Sequence, residues 1–308
     1  LSGDFDWQLA GSRWSGSGAV SGSLVILDVQ HQLEGDAQIA TRGSIQLWQR
    51  IDPVFDLVNE FSELRYADWT ASDGQVQLTG TLDAFKTSFA STVAGASLPS
   101  ATIRGTATGS LQGLVDLNAA VDVDAASLHV LGDIAWAPAF SLDIAVTSSG
   151  IDPSNFATVP AGALDAELRL RASSVEDFLV DVVSLTGQWN GRATSAFGLF
   201  SRQGTSWRCD GCRVSVGNNL LLVNGGLSGR TIDSSIDIEA PALDQLWPGI
   251  AGSLRSEGQL RGSLSLPVLS GQATANKLAF NEWSLGELSV ASTRSTAQDM
   301  NVAVTIAD

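Results

Sequence analysis

One methionine, one tyrosine, two histidines and two cysteines are spread through 308 residues, and lysine occurs only at Lys86 and Lys277. Charged residues reach 16%, against roughly 25% in an average globular chain. Residues that favour long helices are therefore scarce. Basic clusters are absent as well: 17 cations face 33 carboxylates, for a net charge of -16. A nucleic-acid partner requires cations that displace counterions, and this chain has no such patch. A polybasic membrane-surface mode fails for the same reason. Nor is there a run of about 18 apolar residues, the length a helical membrane span needs.

Catalytic constellations are missing too. His31 and His129 stand apart from any nucleophile, and no G-x-S-x-G elbow occurs. Phosphate loops, dinucleotide fingerprints and the nonapeptide calcium repeat are likewise absent. The reading is of a chain that is not an enzyme and carries no cofactor and no metal.

What is abundant is glycine, at 31 residues, together with Ser, Thr, Val and Asp. Hydrophobic residues make up 44% and mean hydropathy is +0.13. A chain of this size and composition buries a sizeable core, which excludes disorder. Its texture suits many short strands joined by tight turns.

Period-two alternation recurs from end to end. Phe5, Trp7 and Leu9 share one face; Val121 and Val123 oppose Asp122 and Asp124. Leu142, Ile144 and Val146 oppose Asp143, and Leu164, Leu168 and Leu170 oppose Asp165, Glu167, Arg169 and Arg171. Ile236 and Ile238 repeat the pattern, as do Leu260, Leu264 and Leu266. Strands with one apolar and one polar side belong to antiparallel sheets wetted on one face. Turn signals stand at Gly35-Asp36, Asp73-Gly74, Asp210-Gly211, Asn218-Asn219 and Asn224-Gly225-Gly226. Their spacing predicts on the order of 20–25 strands. Open sheets rarely exceed about 10 strands without curling or splitting, so the choice is among stacked sandwiches, a solenoid and one long rolled sheet.

One stretch reads as helix, near 52–61. Asp52 offers an N-cap and Pro53 the first helical position, followed by Val54, Leu57, Val58 and Phe61 at helical spacing. Around Leu243–Gly252, Pro248 and Gly249 allow at most a single turn. Quasi-repeats of strand, Gly, strand and turn, as in QLTGTLDAF and QLRGSLSLP, suit growth by addition of similar strands. No composition shift divides the chain, so 1–308 reads as one continuous β-repeat segment. It opens LSGDFDW and ends VAVTIAD, and the expectation is an excised piece whose membrane anchor lies outside it.

Cys209-Asp-Gly-Cys212 is the strongest local signal. Asp210-Gly211 is a preferred two-residue hairpin turn, which would set the two Cys opposite each other within disulfide reach. A structural disulfide is the leading reading, ahead of reduced thiols or catalysis, and it implies an oxidising compartment such as the periplasm. Nine Trp run along the chain. They serve as core anchors, as platforms for sugars, or as the lining of a long apolar groove.

About the last 175 residues resemble the TamB family. The runs that carry this are GDIAWAPAFSLDIAVTSSGIDPSNF, PAGALDAELRLRA, SLTGQWNGR, CRVSVGNNLLLVNGGLSG, IEAPALDQLWPGIAGSLRSEGQLRGSLSLPVLSGQATANKLAF and WSLGELSV. Most telling is the order G-N-N-L, G-x-L-S-G, P-G-I-x-G-x-L, then G-x-L-x-x-P; the N-terminal third matches in texture. The resemblance implies an elongated, mostly antiparallel sheet rolled into a U-shaped β-taco with an apolar inner groove. It implies a periplasmic, inner-membrane-anchored, AsmA-like subunit of the translocation and assembly module, with an outer-membrane barrel as partner. It also implies phospholipids as cargo and a part in outer-membrane assembly.

The leading expectation is thus a non-enzymatic lipid conduit. Its groove would be lined by Leu142, Ile144, Val146, Leu164, Leu168, Leu170, Ile236, Ile238, Leu260, Leu264 and Leu266. Two alternatives stand beside it: an extracellular β-solenoid adhesin or passenger domain, and a scaffold that adds nascent outer-membrane strands to its sheet edges.

Overall fold

The computed structural model describes residues 1–307 apart from 11, 36, 48–51, 96–97, 282 and 295–299. Described residues form twenty-one strands and two single turns of 3₁₀ helix, so the all-β, antiparallel expectation stands. Two compact units divide at Ile144/Ala145.

The first unit holds β1 (Ser2–Gln8), β2 (Ser15–Gly22), β3 (Ile26–Glu34), β4 (Ala37–Gln46) and β5 (Val54–Tyr66). It continues with β6 (Trp69–Thr81), β7 (Ala84–Gly95), β8 (Leu98–Ser110), β9 (Gly113–Val123) and β10 (Ala126–Ala135). Each strand pairs antiparallel with the next in sequence. Cross-strand partners share a face, so the registers build one apolar side. Phe5 and Trp7 sit opposite Gly18 and Gly16, Leu57 opposite Leu78, and Val121 opposite Leu128. Rings lie over glycines along this side. A Cβ on Gly74 would strike the Phe61 ring, one on Gly109 the Phe85 ring, and one on Gly105 the Phe89 ring at 2.6 Å. Ala107, Leu117 and Ala119 form a small buried cluster with Phe89, Leu114, Val130 and Ile134 against it.

No helix forms near 52–61: Asp52 and Pro53 precede β5, and 54–61 are its first residues. Its apolar residues fit a strand as well as a helix: Phe55, Leu57 and Phe61 face one way with Asn59 among them, while Asp56, Val58 and Glu60 face the other. Asn59 hid the alternation. The sheet accommodates it, because Thr41 Oγ1 donates to Asn59 Oδ1 at 2.8 Å and Asn59 Nδ2 donates to the Val76 carbonyl at 3.3 Å. Those partners lie 17 and 18 residues away in sequence, where local periodicity cannot see them. On the opposite side Arg42 and Glu60 make a bidentate, exposed ion pair.

β11 (Ser141–Ile151) runs through the boundary. The second unit continues with β12 (Gly162–Ala172), β13 (Asp177–Trp189), β14 (Arg192–Gln203), β15 (Ser206–Val216) and β16 (Asn219–Ser228). Then come β17 (Thr231–Ala240), β18 (Ile250–Ser263), β19 (Leu266–Phe280), β20 (Trp283–Arg294) and β21 (Met300–Ala307). From β12 onward each strand again pairs antiparallel with its successor. Before β12, Pro153–Asn155 makes a 3₁₀ turn capped by Asp152, whose Oδ1 accepts from the Ser154 and Gly162 amides. Those bonds, the Gly162 amide first, hold the Asp152 carboxyl below its ordinary range.

Three of the expected turns are strand interiors. Asp73-Gly74 lies at a bulge of β6, where Asp73 takes φ 50° and the register shifts between Ser72 and Gln75. Asp210-Gly211 lies at a bulge of β15, with Gly211 at φ 61°. A hairpin turn and a bulge both call for a positive φ, so the dipeptide cannot tell them apart. Asn224-Gly225-Gly226 lies within β16, where the backbone is crowded: a Cβ on Gly226 would meet the Trp207 carbonyl oxygen. Asn218-Asn219 does lie at the β15–β16 connection. The Gly35-Asp36 signal includes Asp36, which is outside the described residues. A single 3₁₀ turn at Leu243–Gln245 matches the limit set by Pro248 and Gly249.

Candidate binding face

Registers across the second unit place apolar side chains in rows on one side. Leu168 sits opposite Val182, and Cys212 opposite Val223, which faces Ile236. The neighbouring row joins Leu170, Val180, Phe200 and Cys209. On the far side of the first row, Leu185, Ala196, Val214, Leu221 and Ile238 line up. The other face is charged and exposed, with Asp165, Glu167, Arg169, Asp237, Glu257 and Arg261. Arg261 and Asp233 pair there at 3.0 Å.

The expected lining residues fall mainly on the apolar rows. Leu142, Ile144 and Val146 alternate along β11 and are half-buried. Leu164 is buried; Leu168, Leu170, Ile238 and Leu260 are half-buried; Ile236 is more exposed. Leu264 departs from the pattern: it lies in the β18–β19 turn and is exposed. The alternation Leu260, Leu264, Leu266 carried past the end of β18. Leu266 pairs in register with Ser263, and its side chain lies outside the described residues.

Several apolar-face residues escaped sequence reading. Val180 and Val182 are out of phase with Leu185 because β13 bulges between them, so the period-two signal breaks in mid-strand. Leu221 and Val223 belong to a run of four apolar residues with no alternation.

No large side chain among the described residues is fully buried. Close packing normally seals a core of this length; here the apolar rows stay partly open. One margin is closed. Asn219, 3% exposed, donates from Nδ2 to the carbonyls of Val216 and Ala242, and its Oδ1 accepts from the Ala242 amide. Trp189 Nε1 donates to the Leu246 carbonyl at 3.0 Å, and Leu243 is buried. The segment 241–249 is thus pinned over the strand ends. The described Trp side chains are half-buried or exposed, so none is a core anchor.

Cys209 and Cys212 are bonded to each other, with Cα atoms 6.0 Å apart. The geometry corrects the expected hairpin: both Cys lie in β15, on either side of the bulge, and their partners in β16 are Gly225 and Val223. An open depression of about 890 Å³ lies against the charged face, lined among others by Arg213, Asp237, Glu257 and Gln259. Its mixed charges converge on no single ligand. Among the described residues no group of three or more His, Cys, Asp and Glu is placed to hold a metal, and no helix is long and apolar enough to cross a membrane.

Fold and face define the class: an antiparallel β-repeat protein with one apolar and one charged side. The chain belongs to the TamB family, because the family described as "TamB, N-terminal domain" matches residues 8–307. The match takes in the N-terminal third as well as the segments with the recognisable motifs. The translocation and assembly module subunit TamB of Haemophilus influenzae is 23% identical over 294 residues. That alignment covers 93% of this chain and 22% of the relative, so the chain spans about a fifth of that protein's length.

Proposed function

We propose that this chain is a continuous stretch of a periplasmic, non-enzymatic lipid conduit. In this reading the apolar rows form the inner side of a rolled sheet, and phospholipid acyl chains move along it between the inner and outer membranes. The protein would be held at the inner membrane by a segment outside this chain, would meet an outer-membrane barrel of the translocation and assembly module, and would support outer-membrane assembly.

The observation that carries the reading is the apolar face itself. It runs strand after strand, yet among the described residues no large side chain in it is fully buried. Bare apolar surface of that extent is costly in water, and acyl chains would cover it without needing specific polar contacts. The charged outer face and the net charge of -16 suit a surface that stays in solvent.

Photo-crosslinkers test this directly. Placed at Leu142, Ile144, Leu168, Leu170, Ile236 and Ile238 they should label co-purifying phospholipid. Placed at Asp143, Arg169 and Asp237 they should not, since one residue along a strand reverses the side chain's face. Equal labelling of both sets would sink the conduit, and labelling of one short segment would replace it with a local pocket.

A further inference from the structure

Arg202 interrupts the apolar face of the second unit. It pairs in register with Phe178 on one side and Trp207 on the other, in the last row before the strand ends. Phe178, Phe200 and Trp207 form an aromatic cluster with centroids 5.6–6.2 Å apart. The Arg202 guanidinium lies over the Trp207 ring, Cζ at 4.9 Å from its centroid. Its side chain is 26% exposed, low for a cation on an acidic protein.

A guanidinium has five N–H donors. Here Nε donates to the Gly204 carbonyl at 2.9 Å and Nη1 to the Val175 carbonyl at 3.3 Å. Both partners are neutral. The carboxylate of Glu176 stands 3.8 Å from Nη2, past hydrogen-bond reach, and is 65% exposed. Nη2 is therefore left with donors to offer, held in place by two carbonyls and a ring. One row inward, Leu170, Val180 and Phe200 continue the apolar surface.

We propose that Arg202, Trp207 and Glu176 form a headgroup site for a zwitterionic phosphodiester-amine at the margin of the acyl-binding face. Phosphate oxygens accept from Arg202 Nη2; the ammonium is held by Glu176. The acyl chains lie inward over Val180 and Phe200. A neutral zwitterion avoids the repulsion that a chain of net charge -16 imposes on an anionic lipid. This inference rests on the acyl-binding reading above, and names the lipid class that it would take.

The test compares four probes on the 308-residue chain by calorimetry: dioctanoylglycerol, the phosphoethanolamine and phosphoglycerol lipids with the same two chains, and glycerophosphoethanolamine. The phospholipid should bind about tenfold more tightly than dioctanoylglycerol, the worth of one charge-assisted hydrogen bond. Arg202→Gln should erase that advantage and leave dioctanoylglycerol binding unchanged. Arg202→Lys, which keeps the charge, should keep part of the advantage. Glu176→Gln, an exposed change that does not threaten folding, should reduce the preference for phosphoethanolamine over a phosphoglycerol headgroup. A folded Arg202→Gln protein with the full advantage, or Glu176→Gln with an unchanged preference, would overturn the headgroup site while leaving the acyl-binding face intact. If neither lipid binds the unaltered chain, the acyl-binding reading falls and this one with it. Arg202-dependent binding of glycerophosphoethanolamine alone would mean a soluble phosphodiester ligand and would overturn the lipid assignment.

Discussion

The two units build an apolar face by different means. In the first, aromatic rings fill the gaps left by glycines on the neighbouring strand, as Phe61 does over Gly74, Phe85 over Gly109 and Phe89 over Gly105. In the second, branched aliphatics stand side by side along much of the face: Leu168 with Val182, Leu170 with Val180, Val223 with Ile236. A ring over a glycine fixes two strands in one arrangement, because nothing larger than hydrogen fits beneath it. Aliphatic rows tolerate more exchange, since their volumes can be redistributed. The first unit thus owes its face to shape, the second to hydrophobic area.

The sharpest way to break this comparison is a buried charge. Ala119→Asp enters the cluster around Leu117, where residue 119 is 6% exposed. It should cost about 3–5 kcal/mol and leave the protein insoluble. Leu168→Arg, on a half-buried row of the second unit, should cost about 1 kcal/mol or less, because the long stem lets the charge reach water. Equal loss of soluble protein for both would mean the aliphatic rows form a sealed core.

Glycine replacement comes next. In Gly105→Val the new Cβ would lie 2.6 Å from the Phe89 ring and 2.7 Å from the Asn118 carbonyl oxygen. Backbone cannot move aside as a side chain can, so about 3 kcal/mol should be lost in denaturant unfolding. Gly3→Val has nothing within 4 Å and should fall within about 0.5 kcal/mol of the parent. Similar midpoints for the two would refute the account of ring over glycine.

Asn219→Ala addresses the closed margin of the second unit. It leaves the Ala242 amide and two carbonyls unpaired, at about 2 kcal/mol, and should speed hydrogen exchange in 241–249 before any other segment. The smallest effect belongs to the disulfide. Cys209 and Cys212 close a loop with only two residues between them, so reduction should cost at most about 2 kcal/mol. Thiol titration of the unfolded, non-reduced protein should find no reactive thiol; finding two would reject the bond.

The strands were legible wherever polar and apolar residues alternate without interruption, as in β11, β12 and β17. Legibility failed where the third dimension supplies what the local sequence lacks. Asn59 reads as a break in a strand until Thr41 and the Val76 carbonyl are beside it. Asp73 and Gly211 announce a positive φ but not whether the chain reverses there. The bulge after Val182 hides half of β13 from a period-two reading. Arg202 looked like any other arginine, because its ring partners Phe178 and Trp207 are brought to it only by two registers.

Every strand pairing described here joins neighbours in sequence, and that bears on how the chain acquires its structure. All-β proteins usually fold slowly because distant segments must find each other before any contact is rewarded. A meander of hairpins has no such search: each strand needs only the one made just before it. Each unit can be completed from one end, hairpin by hairpin, with a single growing edge at any moment. That order suits a polypeptide delivered gradually and in extended form, since no part of it must wait for the last residues to arrive.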